Sequence, residues 1–233
     1  MSPQLPRPPA RSPGEAFPAV AAVLAELKSL ESALLHAGHQ STTGTAAKLY
    51  ELDFFVMGVI NRSLSTISAI RLLVGEWNAS AGIALVRVHL DTLVRLSYVA
   101  DEPNGWDVGE AVFRGARFRD LSDATGKQKL TDRFLVNRLS NRLPWVRTVH
   151  DATNAFVHLS GRHIFSAIHE VGSDEDRTVS SWISAQSPHW SEEDCLELVE
   201  ATLDMTREIL GYLNGWAEWK QRPADPAEGD AGE

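Results

Sequence analysis

LPWVRTVHDATNAFVHLSGRHIFSAIH, residues 143–169, is the stretch on which the reading of this chain turns. From Trp145, apolar side chains return at Val149, Ala152, Phe156 and Leu159, at intervals of four, three, four and three, the period of a helix that buries one side. The opposite side is polar. At about 100° per residue, Arg147, Asp151, Asn154 and His158 fall within roughly 60° of one another, with His150 beside them. Gly161 is placed to end this helix in a left-handed conformation, leaving His158 in the last turn, where exposed carbonyls favour a protonated imidazole. A histidine so placed suits general acid work near neutral pH, and it equally suits capping those carbonyls or filling a gap in the core.

Beyond Gly161 the period changes. Ile164, Ser166, Ile168 and Glu170 alternate, the turn-like Gly172 to Asp176 follows, and Val179, Ser181 and Ile183 alternate again, which predicts a small β-hairpin or extended insertion over 163–185. Ser191 with Asp194 then reads as a capping box opening a last helix through Leu198, Met205, Ile209, Tyr212 and Trp216.

Upstream, Ile83 to Ala100 is apolar on most sides and reads as a buried helix, yet Arg87, Asp91 and Arg95 stand four apart on it. Charges there must be paired or face a cavity, so they either lock helix packing or supply a cation to the His158 face. From Arg114 to Arg147 nine Lys or Arg face three Asp, a local charge of +6 in a chain of net charge -9. Within that stretch and just after it, Arg133, Arg138, Arg142, Arg147 and Arg162 are the candidate contacts to an RNA backbone. Residues 105–123 read as a helix with Trp106, Val108, Val112 and Phe113 inward, and 130–139 as a short one.

The remaining chain supplies scaffold. Residues 1–17 hold five prolines and read as a disordered arm. Val20, Val23, Leu24, Leu27, Leu30 and Leu34 keep helical period to a close at Gly38, and a Ser, Thr and Gly-rich loop spans Gln40 to Thr45. A longer helix follows with Leu49, Leu52, Val56, Ile60, Ser63, Ile67, Ile70 and Val74, ended by Gly75 and Asn78. One helical domain over 18–220 is expected, with a disordered acidic tail over 221–233.

At 233 residues with 43% hydrophobic and 23% charged, the composition is that of an ordinary globular chain. The single cysteine, Cys195, gives neither a disulfide framework nor a zinc cluster. No segment has the roughly 20 apolar residues of a membrane span, and no signal-peptide pattern opens the chain, so a cytoplasmic protein without a membrane role is expected. A metal site from His150, His158, His163 and His169 has no supporting carboxylate spacing. Neither a metal nor another cofactor is expected. Phosphate-binding glycine loops, HExxH and GxSxG patterns are absent.

Helix order and the central stretch resemble the HEPN superfamily, all-α up-and-down bundles that include RNases of toxin and phage-defence systems. The family motif is arginine, a polar residue, three variable residues and histidine; Asn154 and His158 match its polar residue and histidine, and Thr153 stands where the arginine belongs. Arg87 with Asp91, and His158 with Ser160, resemble a further pairing in bacterial members. The resemblance implies a homodimer and metal-independent RNA cleavage: a ribose 2′-OH attacks its phosphate, His158 handles a proton, Asn154 orients an oxygen, Arg87 with Asp91 belongs to the site, and Arg87, Arg162 or a symmetry partner's arginine supplies the cation. It also implies a cognate antitoxin or defence partner. The alternative is a catalytically inactive helical module that dimerises and holds RNA, protein or a small ligand.

Overall fold

The computed structural model describes residues 10–43, 49–158, 160, 161, 163, 168–171, 179–181, 184–187 and 190–221. Its helices are α1 (Pro13–Ala16), α2 (Pro18–Thr43), α3 (Glu51–Gly75), α4 (Ala79–Asp101), α5 (Gly105–Phe113), α6 (Asp132–Ser140), α7 (Trp145–Val157) and α8 (Glu192–Gln221). The four longest close around one core, α2 against α8, α8 against α4, α4 against α3 and α3 against α2. Leu27 and Leu34 of α2, Ile67 and Ile70 of α3, Leu90 and Leu93 of α4, and Ile209 and Leu213 of α8 are fully buried in it. Their spacing of three, four or seven produces an all-α bundle, because each helix has one apolar stripe and buries it only against its neighbours. α5 lies on α3 and α4, while α6 and α7 lie on α4.

Several boundaries differ from expectation for identifiable reasons. Gly38 does not close α2, which continues to Thr43; a Cβ at Gly38 would stand 3.0 Å from Ile60 Cδ1, so this glycine serves the close approach of α2 to α3. α3 does end at Gly75 as expected, but the left-handed residue of the turn that follows is Trp77, at φ 57°. Trp77 N–H bonds Val74 O at 3.0 Å and Asn78 N–H bonds Leu73 O at 2.8 Å, the paired closure that requires a left-handed residue after a helix. A tryptophan in that conformation costs roughly 1–2 kcal/mol. Its indole recovers this by burial, by an edge contact with Phe17 at 6.0 Å and by donating to Arg11 O at 2.8 Å.

The same contact orders part of the expected disordered arm. Residues 10–17 carry α1, opened by a reciprocal Ser12–Glu15 capping box. Residues 1–9 and the expected acidic tail from 222 lie outside the described residues. The helix expected over 105–123 stops at Phe113, and Gly115 at φ 99° turns the chain into a 3-10 turn at Phe118–Asp120. Phe113, expected inward, is 47% exposed and stacks on Phe54 at 5.0 Å. The expected hairpin over 163–185 is not an element of the bundle. Its described residues form a short antiparallel ladder of Ile168–Val171 with Val179–Ser181, broken in register between Ile168 and Glu170, and the turn lies outside the described residues.

Cys195 sits wholly buried near the start of α8, where burial, with Asp194 and Glu192 close by, pushes its thiol up to about 11. Only a thiolate attacks a disulfide reagent, so native protein at pH 8 is expected to react with an aromatic disulfide roughly two orders of magnitude more slowly than protein unfolded in guanidinium. Equal rates would show that Cys195 is accessible. No helix among the described residues is long and apolar enough to cross a membrane.

Candidate functional site

α7 starts after Pro144 and ends at Val157, short of Gly161, which therefore does not close it. His158 has left the helix, with an extended backbone at φ -114° and ψ 145°, so Asn154 and His158 do not share a helix face in the expected register. Both are exposed, and among the described residues neither side chain makes a hydrogen bond or an ion pair. The Ser160 hydroxyl donates to Ala155 O at 2.8 Å, capping a carbonyl of α7. His150 Nδ1 lies 3.0 Å from Asp151 Oδ1. Thr153, at the place of the family's arginine, is 6% exposed, faces inward and donates its hydroxyl to Val149 O at 2.7 Å. A cation at that position would point into the bundle, away from the exposed Asn154 and His158.

Arg87 and Asp91 belong to a different assembly. Asp91 accepts from Arg95 of the next turn and from Arg62 of α3 at 3.3 Å, with Arg87 at 3.8 Å. Asp132 at the start of α6 takes Arg87 at 3.3 Å and Arg95 at 2.8 Å, and Arg62 Nε donates to Thr92 Oγ1 at 2.9 Å. Three guanidiniums and two carboxylates thus tie α3, α4 and α6 together with a net +1. Arg87 is 8% exposed, a cation whose burial is offset by its two carboxylates. The structure brings Arg87 and Asp91 together and does not join them to Asn154 or His158.

The +6 stretch is dispersed in the same way. Arg138 lies over the Tyr98 ring at 5.5 Å and is gripped by Glu102 and by Asp101 at 3.3 Å. Arg142 donates to the Tyr212 hydroxyl and stands 3.7 Å from Glu208. Arg147 donates to Asn137 Oδ1 at 2.7 Å. Arg114, Arg117 and Lys129 have partners in Glu51 and Glu110, in Asp120, and in the Asp120 carbonyl. Arg119, Lys127 and Arg133 remain exposed with no carboxylate partner among the described residues. Arg162 lies outside the described residues.

What the molecule offers instead is a groove. α7 and α8 both lie against α4 and barely touch each other. The trough between them, about 550 Å³, has Ile83 and Val86 of α4 as floor, Trp145, Val149 and Phe156 of α7 as one wall, and Trp190 and Leu198 on the other side. The apolar stripe expected to face the core is therefore only half covered; Val146, fully buried, and Thr153 do the packing, and Ala152 is exposed. Along the α8 edge stand Asp194, Glu197, Glu200 and Asp204, and among the described residues no Lys, Arg or His lines the trough. Asp194 caps α8 through Ser191, and Asp204 has Arg207 at 3.3 Å. Glu197 and Glu200 have no ion-pair partner among the described residues. Asp194, Glu197, Glu200 and Asp204 recur at three, three and four residues, a helical spacing visible in the chain.

A second cavity, about 490 Å³, lies between the ends of α4 and α8 beside Trp106, Tyr212, Trp216 and Trp219. Its carboxylates are already engaged: Asp101 accepts from Tyr212 at 2.8 Å and from Arg138, and Glu102 also pairs with Arg138. Burial, then the Asp101 carboxylate accepting its proton, pushes the Tyr212 phenol up. Among the described residues no three His, Cys, Asp or Glu side chains converge in a metal-binding group. Compared with family models, with curated proteins and with solved structures, the chain matches none.

Proposed function

We propose that the protein is a helical binding module that does no chemistry at His158 and seats its ligand in the groove between α7 and α8. The observation that carries this reading is the division of labour on α7: among the described residues its apolar wall stays open while Asn154 and His158 stand exposed without a cation. Acid–base cleavage of RNA needs a positive group aimed at the phosphate as charge develops. Arg87, the sequence's candidate for that cation among the described residues, is instead engaged by Asp91 and Asp132. A concave trough with an apolar floor and a few polar groups at its edge is the usual form of a ligand seat. In terms of the HEPN resemblance, the chain is a bundle that keeps the polar residue and histidine of the motif without the arginine.

The test has two arms. Purified protein is expected to leave single-stranded RNA intact, with His158→Ala indistinguishable from wild type. The neutral probe N-phenyl-1-naphthylamine is expected to brighten on binding wild type and to lose that signal in Ala152→Trp, which fills the trough from an exposed position. RNA scission that falls 10² to 10⁴-fold in His158→Ala, the usual size of an acid–base contribution, would overturn the reading in favour of the RNase.

A further inference from the structure

Resting on that reading, we infer that the groove receives a basic amphipathic helix from a partner protein. Trp145 and Phe156, at its two ends, are eleven residues apart on α7, about 16 Å at 1.5 Å per residue. That is three helical turns, the span over which a docked helix presents side chains at i, i+4, i+7 and i+11. A volume of about 550 Å³ spread over this length admits one row of side chains and not a backbone, so the incoming helix rides on the rims with its apolar row inserted. α7 and α8 flank that place and α4 floors it, which is where a further helix of the bundle would lie.

Charge decides what kind of helix. The rim carboxylates of Asp194, Glu197, Glu200 and Asp204 run along α8 for ten residues, about 15 Å, parallel to the trough. Among the described lining residues none is basic and Glu197 and Glu200 have no ion-pair partner, so a helix bearing Lys or Arg beside its apolar row completes the pairing, and an acidic one is repelled. A small organic cation would use one point of a linear array. A second copy of this chain brings net charge -9 to an acidic rim.

The experiment uses full-length protein and a fluorescein-labelled 18-residue peptide with Leu at i, i+4, i+7 and i+11 and Lys on both flanks. Two controls accompany it: the same peptide with Glu for Lys, and a scrambled peptide of equal charge with no apolar face. Anisotropy is expected to show the Lys peptide bound, tenfold or more weaker in Glu197→Lys/Glu200→Lys and weaker again with salt, while the Glu peptide binds the charge-reversed protein better than wild type. Both substituted positions are exposed, so the melting temperature should not move. Equal binding of the scrambled peptide, or no change on charge reversal, overturns the inference. If no peptide binds while the naphthylamine probe does, the groove is a ligand seat but not for a basic helix. A dimer in sedimentation that Ala152→Trp dissociates would make a second copy the occupant and overturn it equally.

Discussion

Urea unfolding at pH 4 is expected to give a folding free energy about 3 kcal/mol smaller than at pH 7 through the single imidazole of His89. His89 is wholly buried between α4 and α8, its Nε2 2.9 Å from Thr206 Oγ1. The Thr206 hydroxyl donates to Thr202 O at 2.7 Å, so its oxygen accepts, the ring carries its proton on Nε2, and Nδ1 is left without a partner. Burial, then the positive charge of Arg62, lowers the imidazole from its ordinary 6.5 to about 4. A proton therefore binds the unfolded chain at 6.5 and the folded protein only near 4. The stability is fully present above the unfolded value, is lost as pH falls through that window, and stops falling below about 4; at about 1.4 kcal/mol per pH unit the gap amounts to about 3 kcal/mol. Carboxylates titrate in the same range, so the readout is the difference from His89→Gln, which keeps a donor for Thr206 and does not titrate. Curves for wild type and His89→Gln that fall in parallel from pH 7 to pH 4 would sink the assignment.

His89 also illustrates which parts of this molecule could be read from the chain. The stripes of α2, α3, α4 and α8 are strictly periodic, and burial of a Leu or Ile is worth roughly 1.5–3 kcal/mol wherever it occurs, so a bundle follows from spacing alone. Helix ends depend on contacts that spacing does not encode. Gly38 reads as a stop but answers to Ile60, and Trp77 takes a left-handed turn because its indole is held by Phe17 and Arg11. On α7 the stripe was correctly helical, yet among the described residues nothing covers its outer half, because α8 packs on α4 and not on α7. Among the described residues of one copy, Arg87 and Asp91 stand apart from Asn154 and His158. Charge clustering along a chain says nothing about partners from distant segments, and Glu51, Asp101, Glu102 and Glu208 meet Arg114, Arg138 and Arg142. The acidic edge of α8 was legible, since Glu197, Glu200 and Asp204 keep helical spacing, but only the trough beside it gives that edge a meaning.

Replacing Lys220 by Met is expected to destabilise the protein by about 3–5 kcal/mol, the usual cost of leaving half of a buried ion pair behind. Lys220 Nζ lies 2.7 Å from Asp53 Oδ2, with side-chain exposures of only 6% and 1%. Each charge also suits its own helix end: Asp53, in the first turn of α3, accepts from Tyr50 N–H at 2.7 Å, and Lys220 stands in the last turn of α8. Trp216 Nε1 donates to Asp53 Oδ1 at 3.0 Å, and Lys220 sits 5.1 Å from the centre of the Tyr50 ring. One carboxylate thereby fastens the end of α8 to the start of α3 and holds the stacked pair of Trp216 and Trp219 beside Trp106. In Lys220→Met the carboxylate keeps two neutral donors but loses its cation in a place that water does not reach. Asp53→Asn takes the anion from the ammonium and should also destabilise the protein, whereas Asp53→Asn with Lys220→Met removes both charges and is expected to be less destabilised than the sum of the two by 2 kcal/mol or more, a rough figure for groups in direct contact. Urea titration followed by tryptophan fluorescence reads all four proteins. Additive losses would mean that the two charges do not depend on each other, and a loss below about 1 kcal/mol in Lys220→Met would mean that the pair is solvated and its contribution that of a surface bridge.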